Sequence, residues 1–233
     1  MRKEDLTREQ LAEFAKDMMH RMAVHETLWY MEVEHQLGPE KALAAMDYAW
    51  GKTKAIAEKR LAGYMPLDID QMDWETLLRF TGDVAKNWLA QDGVWFQAVE
   101  FTDGMNDAKR CNDSVWGRFS PFEAFSIKRL LGMEEHPGLE GLADALNFRM
   151  YGSLNRQSCE YDEDGALIFS MNDCRVQSAR VRKGLDDYPC KSAGLVEYKR
   201  FAAGIDSAIQ TECVCCPPDE HPADCFCRWK FTV

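Results

Sequence analysis

Five of the nine cysteines in this 233-residue chain lie between positions 213 and 227. In a small secreted protein such a density predicts a disulfide framework. This chain is not small, its cysteine count is odd, and its first six residues lack the apolar segment of a signal peptide. Clustered thiols that stay reduced favour metal ligation or thiol chemistry instead. We therefore expect a cytoplasmic protein whose chemistry lies near its C-terminal end.

The composition excludes several classes of protein. Apolar residues make up 46% of the chain and charged residues 29%, which is the balance of an ordinary folded protein. Lys and Arg number 28 against 39 Asp and Glu, a net charge of −11. This acid excess argues against a nucleic-acid partner, because phosphate binding needs clustered basic residues. No apolar run approaches the roughly 18 residues of a membrane span, so we expect no membrane partner either.

Hydrophobic periodicity divides the chain into a helical part and a mixed part. Apolar residues recur at helical spacing over 7–36, 40–62 and 73–91. Residues 94–101 are rich in aromatic and β-branched side chains and predict the first strand. The sequence therefore predicts a single α+β domain over 1–233, mainly helical over 1–92 and mixed over 93–233.

The middle of the chain predicts short helices and a hairpin. Residues 107–116 fit one helix, and 120–131 fit another, with Ser120 as its N-cap before Pro121. An acidic turn at 162–165 lies between two segments of strand character.

The last sixty residues predict two helices followed by a second hairpin. Helices are expected over 174–183 and after a cap at Ser192. Residues 209–215 and 225–232 form the arms of the hairpin, which carries cysteines on both arms. The fold class is therefore N-terminal helices packed with an antiparallel sheet and a cysteine-bearing C-terminal hairpin.

Strand alternation places several of these thiols on one face. Cys225, Cys227, Trp229 and Phe231 alternate with polar residues in the last arm, so their face is the buried one. In the other arm, Cys213 and Cys215 share the face of Ile209 and Thr211.

Two further cysteines adjoin helix starts. Cys174 begins one predicted helix and Cys190 precedes the next, and a helix N-terminus lowers the pKa of a thiol. The candidate metal ligands are then Cys174, Cys190, Cys213, Cys216 and Cys227.

The candidate set suits zinc or an iron–sulfur cluster, since both are bound by thiolates. Cys213 and Cys216 form the one pair separated by two residues, and no second such pair completes a zinc ribbon. His221, in the loop between the arms, is a substitute ligand. The alternative is that inward-facing cysteines simply pack in the core, as buried free cysteines commonly do.

The same residues carry a family resemblance. The motifs are Cys-Pro-Pro-Asp-Glu-His-Pro at 216–222, Cys-Arg-Trp-Lys-Phe at 227–231, and segments 172–177, 180–184, 189–190 and 212–213. They resemble the C-terminal signature of an uncharacterised family of bacterial and archaeal cytosolic proteins. That family is distantly similar to aminothiazoline-carboxylate hydrolase-like proteins and to vinyl-reductase-type ligand-binding domains.

The resemblance spans residues 90–233. It implies an α+β fold with N-terminal helices and a metal- or ligand-binding role. Cys215 and Cys225 are additions to the family pattern.

Three functions follow, each acting on a small-molecule ligand or substrate. The first is a metal-dependent hydrolase or redox enzyme, in which an open metal position activates water. The second is a non-catalytic sensor whose metal is structural. The third is a metal-free thiol enzyme with Cys174 as nucleophile and His221 as base. Glu100, expected in an otherwise apolar strand, is a further candidate general base beside His221. The sequence is compatible with a homo-oligomer.

Overall fold

A computed structural model describes residues 1–182, 184 and 186–233. The chain divides into two compact units, Met1–Phe119 and Ser120–Val233. The single-domain organisation inferred from the sequence stays a prediction, because compactness alone does not show whether each unit folds independently. None of the described helices combines the length and apolar character needed to cross a lipid bilayer.

Helices make up the first unit and extend into the second. They are α1 (Arg8–Leu37), α2 (Pro39–Leu61), α3 (Trp74–Asp103) and α4 (Met105–Leu130). Single 3-10 turns occur at Lys3–Asp5, Ala62–Tyr64, Ile69–Gln71 and, in the second unit, Tyr151–Ser153. The start of α1 confirms a sequence signal, since Thr7 and Gln10 form a reciprocal capping box.

The prediction of a strand over 94–101 is wrong. These residues belong to α3, which continues to Asp103 and ends at Gly104, a glycine with φ of +91°. Trp88, Trp95 and Val99 are fully or almost fully buried along α3, so the aromatic and β-branched residues continue its helical spacing. Side-chain burial on one helix face has overridden local strand propensity. Mixed structure therefore begins well after residue 93, with the first described strand at Arg156–Tyr161.

The two helices predicted over 107–116 and 120–131 form one helix, α4. Pro121 lies inside it, so Ser120 is not a helix N-cap. Proline has no backbone N–H and usually occurs in the first turn of a helix, but here it lies inside a continuous helix.

The second unit holds the sheet. Its further elements are α5 (Gly138–Asn147), β1 (Arg156–Tyr161), β2 (Leu167–Asp173), α6 (Arg175–Val181), α7 (Lys191–Ile205), β3 (Gln210–Cys215) and β4 (Cys227–Thr232). The predicted end of α6 at Lys183 lies outside the described residues. The strand order is β1-β2-β4-β3, and every neighbouring pair is antiparallel. Both predicted hairpins are confirmed, and so is the α+β class.

The central strand β4 packs against α7. Trp229 and Phe231 are fully buried, while Arg228 and Lys230 are partly exposed, as strand alternation predicts. The Trp229 ring stacks on Tyr198 of α7 with ring centroids 4.6 Å apart. A Cβ atom at Gly194 would lie 2.8 Å from the Trp229 ring, so any other residue there would force α7 or the indole to shift. This contact fixes the height of α7 over the sheet.

A buried ion network joins α4, α7 and the segment after α5. The guanidinium of Arg149 donates to Glu123 at 3.0 Å and to Glu197 at 2.5 Å. Both carboxylates and the guanidinium are almost completely shielded from solvent. These three charged groups can be buried because the guanidinium is paired with both carboxylates.

Gly194→Ala should lower the free energy of unfolding by about 1–3 kcal/mol, because the added methyl group overlaps a rigid, buried indole. Gly51→Ala in α2 is the control, since nothing lies within 4 Å of its Cβ position. The control should be neutral or stabilising by about 0.5–1 kcal/mol, the helix propensity gain. Denaturant unfolding measures both variants, and equal stability of Gly194→Ala and wild type would contradict the close approach.

Arg149→Leu should destabilise the protein by about 3–5 kcal/mol, because it leaves two buried carboxylates without their cation. Arg156→Leu, at an exposed position of β1, should change stability by less than about 0.5 kcal/mol. Denaturant unfolding again gives the comparison. Similar small losses in both variants would show that Arg149 is dispensable.

Candidate metal centre

Four cysteines lie where elements of the second unit begin or end. Cys174 follows β2 and is the N-cap of α6, and Cys190 is the N-cap of α7. Cys216 directly follows β3, and Cys227 is the first residue of β4. The sheet order places the beginning of β4 between the ends of β2 and β3, so all four cysteines come to one end of the sheet.

Two of these sulfurs are in direct contact. The Sγ atoms of Cys190 and Cys216 are 3.6 Å apart. The Cys227 thiol is near enough to contribute to the raised pKa of Cys216. Cys174 lies close enough to Cys190 and Cys227 for their charges to interact. Cys216 is thus the centre of a four-thiol cluster made of Cys174, Cys190, Cys216 and Cys227.

Amide groups face two of these sulfurs. The backbone N–H groups of Val176 and Gln177, in the first turn of α6, lie near the Cys174 sulfur and act to lower the pKa of its thiol, although the side chain makes no capping hydrogen bond. The Gln177 side chain, which is 1% exposed, donates to the Cys190 sulfur at 3.5 Å. Its amide oxygen accepts from the N–H of Tyr188 at 2.8 Å, which holds the side chain in place. Amide donors of this kind stabilise thiolate sulfur, the form that binds metal. The sequence analysis missed Gln177, because nothing in its local pattern distinguishes it from a surface glutamine.

The pKa of Cys174 differs from the sequence-based expectation that a helix start would lower it. Burial raises the pKa of Cys174 to about 12, despite its place at a helix start. The short helix α6 therefore does not offset desolvation. The hydrogen bond from Cys216 lowers the pKa of Cys190, and the hydrogen bonds to Cys190 and Cys227 raise the pKa of Cys216. These opposite shifts mean that Cys190 is the first of the pair to lose its proton, while Cys216 keeps its own.

Cys213 lies beside the four-thiol cluster. It pairs with Trp229 across the β3–β4 ladder and is half-buried. Burial raises the pKa of its thiol to about 11, and its nearest charged neighbours include Lys191 and Asp219 as well as Cys227. Within the described part of the chain, no group of three or more His, Cys, Asp or Glu side chains is arranged so that it could hold a metal ion. A metal site in this unit would have to be formed by the thiols of the four-thiol cluster.

A β-bulge separates Cys215 from Cys213. The ladder pairs Cys213 with Trp229 but Cys215 with Arg228, so the register shifts by one residue between them. Adjacent residues of β4 point to opposite faces, and Cys215 therefore shares the face of Arg228. The expectation that Cys213 and Cys215 face the same way is wrong, because simple alternation does not anticipate a bulge.

The two candidate general bases are Glu100 and His221. They belong to other segments of the chain than the four cysteines. Glu100 is in the last turn of α3, partly exposed, in the first unit, whereas the thiols are in the second. The expectation of a carboxylate in an apolar strand is wrong because that strand is a helix. His221 has partners at both ring nitrogens: Nδ1 faces the Pro222 carbonyl and Nε2 faces the Asp187 carboxylate, each at 3.0 Å. Two acceptors favour the doubly protonated imidazolium, which has no lone pair for a metal or a thiol proton.

Asp187→Asn should lower the pKa of His221. In the wild type the Pro222 carbonyl and Asp187 raise this pKa above its ordinary value of 6.5. The interaction therefore stabilises the fold below pH of about 6.5 and is lost as the pH rises through the raised value. NMR titration of the imidazole checks the shift. Asp219→Asn is the control, because Asp219 pairs with Lys191, and a wild-type pKa in Asp187→Asn would contradict the assignment.

Comparison with known proteins places the chain in a family. The model of a family of unknown function, DUF6125, matches residues 70–233, which include every element of the four-thiol cluster. No curated protein and no solved structure matches the chain. The match covers most of the sequence, and the chain therefore belongs to the family of unknown function DUF6125.

Proposed function

We propose that the second unit binds one metal ion through the four thiolates of Cys174, Cys190, Cys216 and Cys227. The observation that carries this proposal is the 3.6 Å separation of the Cys190 and Cys216 sulfurs. Cys174 and Cys227 lie at the same end of the sheet, and their charges interact with each other. Cys213 is left out of the set because it lies within the β3–β4 ladder, opposite Trp229.

The spacing of the Cys190 and Cys216 sulfurs fits two ligands of one tetrahedral ion such as zinc. Zinc–sulfur bonds of about 2.3 Å in a tetrahedron place neighbouring sulfurs about 3.8 Å apart. The Cys190–Cys216 separation of 3.6 Å is close to that edge. Cysteines bound to different irons of a cluster lie farther apart, so the positions of Cys174 and Cys227 in the loaded protein distinguish the two centres.

The surroundings of the four-thiol cluster suit a bound cation. Four thiolates around a divalent ion carry a net charge of −2, which needs hydrogen-bond donors nearby. The Gln177 side chain donates to the Cys190 sulfur, and the N–H groups of Val176 and Gln177 lie near the Cys174 sulfur. Without a cation, burial raises the thiol pKa, as it does at Cys174. Metal binding would release those protons, so affinity should rise with pH.

A closed four-thiolate site favours a structural metal and a non-catalytic protein. Catalytic zinc keeps one position for water, whereas structural zinc has four protein ligands. The metal would join the starts of α6, α7 and β4 to the end of β3. We place the protein in the ligand-binding class, as a cytoplasmic sensor for a small molecule, in line with its resemblance to vinyl-reductase-type domains. The distant hydrolase resemblance would require an open metal position instead.

All nine cysteines are free thiols in the structure. Each thiol is therefore available for substitution without breaking a disulfide.

Separate Cys→Ser substitutions at 174, 190, 216 and 227 should each abolish or strongly reduce bound metal, because a serine hydroxyl does not ionise near neutral pH. Cys213→Ser and Cys225→Ser are matched controls and should retain the wild-type metal content. The measurement is zinc and iron per chain after anaerobic purification. The free energy of unfolding should also fall much further in the four ligand variants than in the two controls. Structural zinc contributes of the order of 10 kcal/mol in small domains.

A buried, unpaired hydroxyl alone costs only about 1–3 kcal/mol. If all six variants kept their metal and lost only this smaller amount, the cysteines would be core residues and the proposal would fail. A metal-free wild type with one highly reactive thiol would favour the thiol enzyme instead.

A further inference from the structure

One edge of the four-stranded sheet is formed by β1. The strand order β1-β2-β4-β3 leaves one side of β1 without a neighbouring strand. Edge strands are usually protected by lysine, by proline or by a bulge. The sequence of β1, Arg-Gln-Ser-Cys-Glu-Tyr, contains neither residue. The ladder with β2 is irregular between Arg156 and Gln157, but the extra residue there is Asn172 of β2, so β1 itself keeps its regular alternation.

The hydrogen bonds of the β1–β2 hairpin show which backbone groups face the free edge. The N–H of Asp162 donates to the carbonyl of Ala166 at 3.0 Å, so this pair begins the ladder. Hydrogen-bonded and non-hydrogen-bonded pairs alternate along an antiparallel ladder. The N–H and carbonyl groups of Gln157, Cys159 and Tyr161 therefore point away from β2. In the part of the chain that the structure describes, none of these groups has a hydrogen-bond partner.

The side chains of β1 divide between two faces. Gln157 and Cys159 point to the face that the helices cover, where the Gln157 amide donates to a carbonyl near the end of α5 at 2.9 Å. Arg156, Ser158 and Glu160 lie on the opposite face, and the two charged residues are exposed. A positive and a negative charge thus lie at equal distances along the strand on either side of Ser158.

We propose that this edge binds a second copy of the chain, with the two β1 strands paired antiparallel about a two-fold axis at Ser158. In this register Arg156 of each copy lies opposite Glu160 of the other, so both cross-strand pairs have complementary charges. Gln157 of each copy forms a hydrogen-bonded pair with Cys159 of the other, because their free backbone groups point towards each other. The two four-stranded sheets then join into one sheet of eight strands.

Other registers and the opposite edge lack this match. A shift of one residue would direct the free backbone groups of one copy at groups of the other that already bond to β2. A shift of two residues places the uncharged Ser158 opposite Arg156 or Glu160. At the other edge of the sheet, β3 has a bulge and one charged residue, Glu212, so two copies of it offer no opposite charges.

The dimer should dissociate on dilution. Pairing of two six-residue strands covers less area than the roughly 1,600 Å² of a standard stable interface. Each copy also carries a net charge of −11, which opposes association, so complementary charges at the contact determine which surfaces can meet. The stability comparison of Arg156→Leu concerns the single chain and is made at a concentration at which the dimer is dissociated.

Sedimentation velocity of the full chain at increasing concentration tests the proposal. The wild type should show a monomer–dimer equilibrium. Glu160→Arg places like charges opposite each other at both pairs and should weaken association at least about tenfold, and Arg156→Glu should do the same. Both substitutions in one chain restore opposite charges and should restore association. Glu163→Arg, exposed in the turn after β1, is the matched control and should behave as wild type.

A mixture of the two single variants gives the sharpest result. Neither should associate alone, but the Glu160→Arg chain presents two positive charges to the two negative charges of the Arg156→Glu chain, so together they should form a heterodimer. A wild type that stays monomeric at the highest concentration would overturn the inference. So would a dimer that the single variants leave unchanged, or a double variant and a mixture that fail to associate. The proposed metal site is not tested here, because β1 carries none of its four cysteines.

Discussion

The packing of Trp229 beneath α7 is the contact on which the candidate metal centre depends. Gly194 lets α7 approach the indole, and Tyr198 stacks on the same ring. Because Cys190 is the N-cap of α7 and Cys227 is two residues before Trp229 in β4, this contact sets their relative positions. A Cβ at Gly194 would also lie 3.6 Å from the Cys216 sulfur. One close approach between a helix and a strand therefore aligns three of the four thiols.

Electrostatics then gives the cluster its chemical character. Thiols in contact with one another cannot all ionise in a buried site, because like charges repel and burial penalises each of them. The opposite pKa shifts of Cys190 and Cys216 express this competition, in which one sulfur becomes the thiolate and the other keeps the proton. A divalent cation would remove the conflict by replacing the protons. This is the physical reason for proposing a metal over simple core packing, where thiols have no need to meet.

Much of the C-terminal half could be predicted from the sequence. The alternation of Cys227, Trp229 and Phe231 correctly identified the buried face of β4, because burial on one side of a strand leaves a period of two. Cys174 and Cys190 were correctly placed at helix starts.

Other features depend on tertiary contacts that no local pattern encodes. The strand propensity of 94–101 gave way to burial on a helix face, and the bulge between Cys213 and Cys215 arises from pairing with β4. Gln177 and Gly194 are important through partners far away in sequence, Cys190 and Trp229 respectively. A single sequence carries no signal for such contacts, so the proposal of four cysteines rather than five depends on the fold.

X-ray absorption spectroscopy of the anaerobically purified protein tests the central claim most directly, because it reports the atoms bound to the metal and their distances. The account predicts zinc with four sulfur neighbours at about 2.3 Å and no nitrogen or oxygen ligand. Short iron–iron distances would indicate a cluster, and a coordination shell dominated by nitrogen or oxygen would place the metal away from these cysteines. Either result, or the absence of stoichiometric metal, would contradict the four-thiolate site.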